Sequence, residues 1–248
     1  MFQPEDFDQD LATALCRYAG FVTARGWVHN TLGNIAVRAA HPHDPRHGVL
    51  YTKHLGVSLE EMTTANVVVT DIPRGALLFG RTPPSIGNQM NREVLRHRPD
   101  IAAVLHLHVD ATIAWFSVVR EPVFRFVSID TPLVLGSDVV VLRPEVNVEA
   151  DAALVGSFIG ATNAFIMPNH GVTTLGRSLS EAYHRMTSLV AEMERVVQAH
   201  VLSGALGQPV AHVTDDEKRQ IFAQADATIY GASAGAGTRP LRVADAGR

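Results

Sequence analysis

Three histidines on two short apolar runs are the residues of this sequence best suited to chemistry. Residues 101–109 read as a buried strand containing Val104-Leu105-His106-Leu107-His108-Val109. Side chains alternate between the faces of a strand, so His106 and His108 project side by side while Leu105, Leu107 and Val109 face the other way. Two imidazoles on one rigid strand are either a preformed pair of metal ligands or a hydrogen-bonded pair at a sheet edge. His170 adds a third. It follows the apolar run 164–167 and sits between Asn169 and Gly171, a tight turn at a strand end, where functional groups collect in α/β folds. Three imidazoles on two strand ends match a catalytic metal site that keeps open coordination positions.

Alternating helices and strands must position these residues. Residues 8–25 predict an opening helix, with Asp8 as its cap, Leu11, Leu15, Tyr18 and Val22 at helical spacing, and Gly26 at its end. Short strands are expected at 34–39, 48–52, 66–71, 123–129 and 138–142, and a Pro-Arg-Gly turn at 73–75 leads into residues 76–79. Helices are expected at 87–98, ended by Pro99, and near 148–158. Ser178 and Glu181 form a capping box for the longest helix, whose Met186, Leu189, Met193, Val196 and Val197 mark one face up to Gly204. No repeat or linker divides the chain. One α/β domain over residues 1–230 is expected, with a mobile Ala/Gly/Ser-rich tail at 231–248.

Composition narrows the partners. The 248 residues can bury one substantial core, and a formal net charge of −4 without a basic run argues against nucleic acid or an anionic membrane. No apolar run approaches the ~18 residues that span a bilayer. The acidic N-terminus lacks the order of a signal peptide, so a cytoplasmic location is expected. Cys16 is the only cysteine and reads as a small core residue. Of the 12 histidines, His41, His43 and His47 fall in a Pro-rich run that reads as a solvated loop.

Four blocks, in order, resemble the class II aldolase/adducin superfamily. They are Gly33-Asn34-Ile35-Ala36-Val37-Arg38; the stretch from Gly56 to Asp71; Arg98-Pro99-Asp100 followed by Val104-Leu105-His106-Leu107-His108; and Asn169-His170-Gly171 followed by Gly176 and Glu181-Ala182. The resemblance runs from about residue 8 to 202. It implies a three-layer α/β/α fold with a central mixed sheet, and often a homotetramer with sites between subunits. It also implies a divalent metal on His106, His108 and His170, commonly zinc, in other members manganese, cobalt or iron.

The sequence departs from the sugar-phosphate aldolases of that superfamily. They carry Pro-Ser-Ser-Glu before the helix leading to the His-x-His strand, and its Glu is the general acid/base. Here the match is Pro84-Ser85-Ile86-Gly87, and Gly87 cannot transfer a proton. Glu93 lies more than a helical turn further along and reads as a solvated carboxylate. The phosphate-binding Thr-Pro-Ser-Gly is replaced by Thr52-Lys53-His54-Leu55-Gly56, and only Gly33, Asn34 and Ser85 of the usual cradle remain. Asn34, Lys53, His54 and Ser85 are the candidate substrate-binding residues. Lys53 and His54 either hold a carboxylate or are exposed loop residues. Asp110 either orients a ligand histidine or faces solvent. Tyr230 is a candidate proton donor, since the family uses tyrosines in that region.

The expected activity is that of a metal-dependent lyase acting on a small 2-oxo or hydroxy acid, because a metal in an open site stabilises the enolate left by carbon–carbon cleavage. Loss of the acid at position 87 favours decarboxylation, whose cleavage step needs no base, over retro-aldol cleavage. Two alternatives come from the same resemblance. One is a non-haem iron oxygenase of the kind acting on arylpyruvates and mandelates in aminocoumarin pathways; the other is a non-catalytic adducin-like binding protein.

Overall fold

The computed structural model describes residues 2–229. Its framework is an eight-stranded sheet of order β4-β3-β2-β1-β5-β8-β7-β6. The strands are β1 Asn34–His41, β2 Asp44–Lys53, β3 Val67–Asp71, β4 Leu77–Phe79, β5 Ala103–Leu107, β6 Val139–Val141, β7 Ala164–Met167 and β8 Gly171–Gly176. Neighbours are antiparallel except β6 and β7, which are parallel, so the sheet is mixed. The helices are α1 Gln9–Ala24, α2 Asn88–His97, α3 Asp110–Val118, α4 Asp130–Leu135, α5 Leu179–Leu206 and α6 Asp215–Ile229.

Strand alternation sorts the apolar side chains into two cores. Ile35, Val37, Leu105, Ile166 and Val172 pack on one face with Leu15 and Val22 of α1 and Met186, Leu189 and Met193 of α5. Ala36, Leu50, Val104, Phe165 and Leu175 pack on the other with Met90 and Val94 of α2 and with Val155 and Ile159. Three layers, α/β/α, result. Every residue of β5 is buried, and cover on both faces explains why its sequence is so continuously apolar.

Local chemistry sets the helix ends. Asp8 accepts the Leu11 amide at 2.8 Å to cap α1. Ser178 accepts the Glu181 amide at 3.1 Å to open α5, and the Glu181 carboxylate pairs with Arg185 at 2.8 Å. That helix passes Gly204 and ends at Gly207, which takes the left-handed conformation at φ 64°.

Several expectations fail for identifiable reasons. Residues 123–129 form no strand. Phe124 and Phe126 are buried in the first core, but the Val127 and Ser128 amides donate to the buried Glu192 carboxylate at 2.5 and 2.9 Å instead of to a ladder. The helix near 148–158 is replaced by a turn at Asn147 and a 3-10 helix, Ala152–Ser157. The His/Pro run is no open loop: β1 extends to His41, β2 begins at Asp44, and the His43 ring pairs with Asp6 at 2.7 Å. Strand β8 and helices α3, α4 and α6 were not anticipated. Tyr230 and residues 231–248 lie outside the described residues. Among the described residues, no helix is long and apolar enough to cross a membrane.

Candidate metal centre

Strand register places the first histidine. His106 on β5 stands opposite Asn34 of β1 and Thr173 of β8, and residues directly opposite share a face. His106 is fully buried, with Nδ1 2.9 Å from Thr173 Oγ1. Donation of Nδ1–H to that hydroxyl leaves Nε2 with its lone pair free. His108 lies just past the end of β5, and its Nε2 is 3.2 Å from that of His106.

His170 arrives on a hairpin. Pro168, Asn169 and His170 join Met167 of β7 to Gly171 of β8, with Asn169 left-handed at φ 59°. Gly171 makes the approach to β5 feasible. A Cβ there would lie 2.6 Å from the Leu107 carbonyl oxygen and 2.9 Å from the His106 ring.

Glu149 completes the cluster, and sequence reasoning missed it. Its Oε2 is 3.1 Å from His170 Nε2, and its Oε1 is 4.0 Å from His106 Nε2. The ligand atoms of His106, His108, Glu149 and His170 all lie within 4.8 Å of one another, so the cluster could hold a metal ion. Donors about 2 Å from a tetrahedral metal stand about 3.3 Å apart, so the spacing suits a single ion. A second observation supports the fit. His170 Nε2 is buried and makes no hydrogen bond of acceptable geometry, despite its nearness to Glu149.

The electrostatics match metal ligation. Burial pushes the His106 imidazole down to about 3, against the attraction of Glu149. Burial, helped by the charge of His170, pushes His108 down to about 4. Burial alone would raise the Glu149 carboxyl, but the contact with His170 and the charges of the histidines hold it below the usual carboxylate range. Neutral His106 and His108 beside an ionised Glu149 are the protonation states that a metal requires.

A pocket of about 400 Å³, its open mouth included, lies over the centre, lined among others by Asn34, Lys53, His54, Ser85, His108 and Glu149. All four candidate substrate-binding residues therefore meet there, although each is also tied to the fold. Asn34 accepts from the Asn91 amide group at 2.7 Å. Lys53 is no exposed loop residue: it ends β2, is 1% exposed, and donates from Nζ to the Thr31 and Val57 carbonyls at 2.6 and 2.7 Å. Burial lowers its ammonium to about 8. The His54 Nδ1 lies 2.7 Å from the Leu55 carbonyl, and the Ser85 amide donates to the Lys53 carbonyl at 3.0 Å.

Asp110 orients no ligand. It begins α3, is largely exposed and faces His29 at 3.4 Å, and Thr173 orients His106 instead. Glu93 pairs with Arg96 on α2, outside the cluster. The one sequence signal for Glu149 was local. Asn147 accepts the Glu149 amide at 2.9 Å in a side-chain turn, and the intervening Val148 is fully buried as an anchor.

The chain matches the Class II Aldolase and Adducin N-terminal domain over residues 13–197. Human gamma-adducin is 29% identical over 203 residues, which cover 79% of this chain and 27% of the adducin. Human beta-adducin is 25% identical over 203 residues, 79% of this chain and 26% of that one. The chain thus spans about a quarter of the length of these curated relatives. Among solved structures, YgbL from Klebsiella pneumoniae matches with a TM-score of 0.71 at 24% identity, covering 86% of this chain and 98% of its own. L-fuculose-1-phosphate aldolase from Thermus thermophilus matches with a TM-score of 0.65 at 21% identity, covering 79% of this chain and 99% of its own. These two likenesses are of fold. The matched span contains all four residues of the cluster, and the chain belongs to the class II aldolase and adducin N-terminal domain family.

Proposed function

We propose that the chain is a divalent-metal-dependent lyase, homo-oligomeric, that cleaves a carbon–carbon bond in a small 2-oxo or hydroxy acid. The observation that carries this reading is the convergence of three imidazoles and one carboxylate beneath an open pocket. A divalent ion bound there, zinc in the first instance, would polarise the substrate carbonyl and stabilise the enolate left by cleavage. His106, His108 and His170 would hold it.

The chain's own residues supply the rest. Thr173 keeps the His106 ring aimed at the centre. An ammonium has three N–H donors, and Lys53 gives two to backbone carbonyls, which leaves its charge and one donor for an acid. No arginine lines the pocket among the described residues, so a carboxylate suits it better than a phosphate. Leu32, Leu55 and Ile86 stand exposed on the pocket lining, where they can cover the apolar part of a substrate and exclude water. Glu149 also returns a carboxylate to a site whose Gly87 has none. Retro-aldol cleavage, which deprotonates a hydroxyl, therefore stands beside decarboxylation. A purely adducin-like binding role would give these converging buried donors no task.

The same carboxylate favours one second reading. Two histidines and a carboxylate are the common ligand set of non-haem iron oxygenases, and this cluster contains that set. Turnover of 2-oxo and 2-hydroxy acids by protein purified without chelators, under strictly anaerobic conditions, separates the two. A lyase keeps its full rate and releases carbon dioxide or an aldehyde. Activity that stops without dioxygen and returns with it overturns the lyase reading in favour of an oxygenase.

A further inference from the structure

We propose that Glu149 is a carboxylate ligand of the metal centre, and that position 87 is glycine because this carboxylate, together with the Asn34 amide, occupies the space a side chain there would fill. The inference rests on the metal-centre reading above and adds a ligand and a steric partner to it.

Gly87 has no conformational need to be glycine. Its φ of −69° is open to any L-residue. It precedes α2 at the N-cap, where Ser, Thr, Asn or Asp would satisfy a helix amide that here receives no side-chain cap. A local preference for a polar side chain has therefore been overridden. Space explains why. A Cβ at position 87 would lie 2.5 Å from Glu149 Oε1 and 2.3 Å from Asn34 Nδ2. Two groups exclude it, the Asn34 amide and the carboxylate that reaches the histidines.

Local contacts direct Glu149 toward the histidines. Its amide is held by Asn147 Oδ1 at 2.9 Å, Val148 before it is fully buried in the α2-side core, and its own side chain is 13% exposed. The carboxylate thus reaches the three imidazoles from a turn after β6, across the room left by Gly87. Acidic oxygen is a normal partner of imidazole nitrogen around zinc and other divalent ions.

Competition titration with zinc tests this on the full chain, with circular dichroism confirming the fold of each variant. Wild type, His106→Ala, Glu149→Gln, Glu149→Ala, Gly87→Ala and the Gly87→Ala/Glu149→Ala double variant are compared. Glu149→Gln, which keeps the shape and removes the charge, is expected to weaken zinc binding by about tenfold or more. Gly87→Ala is expected to weaken it as well, although it removes no donor. In the Glu149→Ala background Gly87→Ala should cost less than it does in the wild-type background, because only the Asn34 amide remains to be displaced. Cobalt(II)-loaded protein gives a second readout, with the visible spectrum of Glu149→Gln expected to differ from that of wild type. Glu149→Gln binding zinc within about twofold of wild type, while His106→Ala loses it, overturns Glu149 as a ligand and leaves the histidine site standing. Fully additive losses for Gly87→Ala and Glu149→Ala overturn the steric pairing. Wild type that binds no zinc or cobalt overturns the metal-centre reading itself.

Discussion

The two sides of the candidate centre are built by opposite means. On one side, β5 and the β7–β8 hairpin carry the histidines: His106 is paired in the ladder, His108 follows the last paired residue of β5, and His170 sits in the tight turn that the β7–β8 pairing closes. On the other, Glu149 sits in an irregular turn after β6, directed by one asparagine side chain and one buried valine. A ladder is redundant, since many bonds hold each residue. A turn hangs on few. The histidine side should therefore be rigid and indispensable, and the Glu149 side adjustable.

The largest expected effect lies on the ladder. His106→Ala should abolish stoichiometric metal while the fold survives, since a strand tolerates the loss of one side chain but a metal site does not tolerate the loss of its most firmly held imidazole. Metal analysis beside circular dichroism checks it. A variant that keeps a full complement of metal would move the centre away from β5.

A pH dependence of the metal-free chain follows from the same burial. His106 and His108 titrate at about 3 and 4 in the fold, against a reference of 6.5. Between those values the unfolded chain binds more protons, so stability is full above pH about 6.5 and falls as the pH drops toward about 4. Glu149, with its pKa lowered in the fold, acts in the same sense at the acid end. Chemical denaturation of chelator-treated protein at several pH values measures this. A flat profile between pH about 7 and 5 would contradict it.

Thr173→Val sharpens the comparison from the ladder side. It keeps the strand shape and removes the acceptor of the buried His106 Nδ1–H, and an unsatisfied buried donor costs about 1–3 kcal/mol. Metal affinity should fall by about 10–100-fold, as for other outer partners of ligating histidines. Unchanged affinity would mean that packing alone orients the ring. Asn147→Ala probes the other side and should do less, with about 1 kcal/mol of stability lost and only a few-fold weaker metal binding. A loss as large as that of Thr173→Val would erase the distinction between rigid and adjustable sides.

The same contrast explains what was legible in the sequence. Period-two alternation paired His106 and His108, and Asn169-His170-Gly171 after an apolar run marked a third candidate. A single α/β domain was legible through the same periodicities, and its three layers through the family resemblance. Glu149 lay where periodicity gives no direction, and a helix was expected there. Residues 123–129 misled for a related reason. Their apolar residues do enter the core, but a side chain 64 residues away, Glu192, takes the amides that a strand would have paired. Lys53 was open between holding a carboxylate and standing exposed in a loop, and the two backbone carbonyls that take its ammonium exclude the second. Pairings between distant elements leave little trace in local sequence.

The central claim is that these four side chains form a metal centre, and the metal-to-protein ratio of wild-type chain purified without chelators tests it most directly. One divalent ion per folded chain, removable by a chelator and restored by re-addition, is the predicted result. A folded wild-type chain whose ratio stays near zero even after incubation with zinc, iron, manganese or cobalt would contradict it.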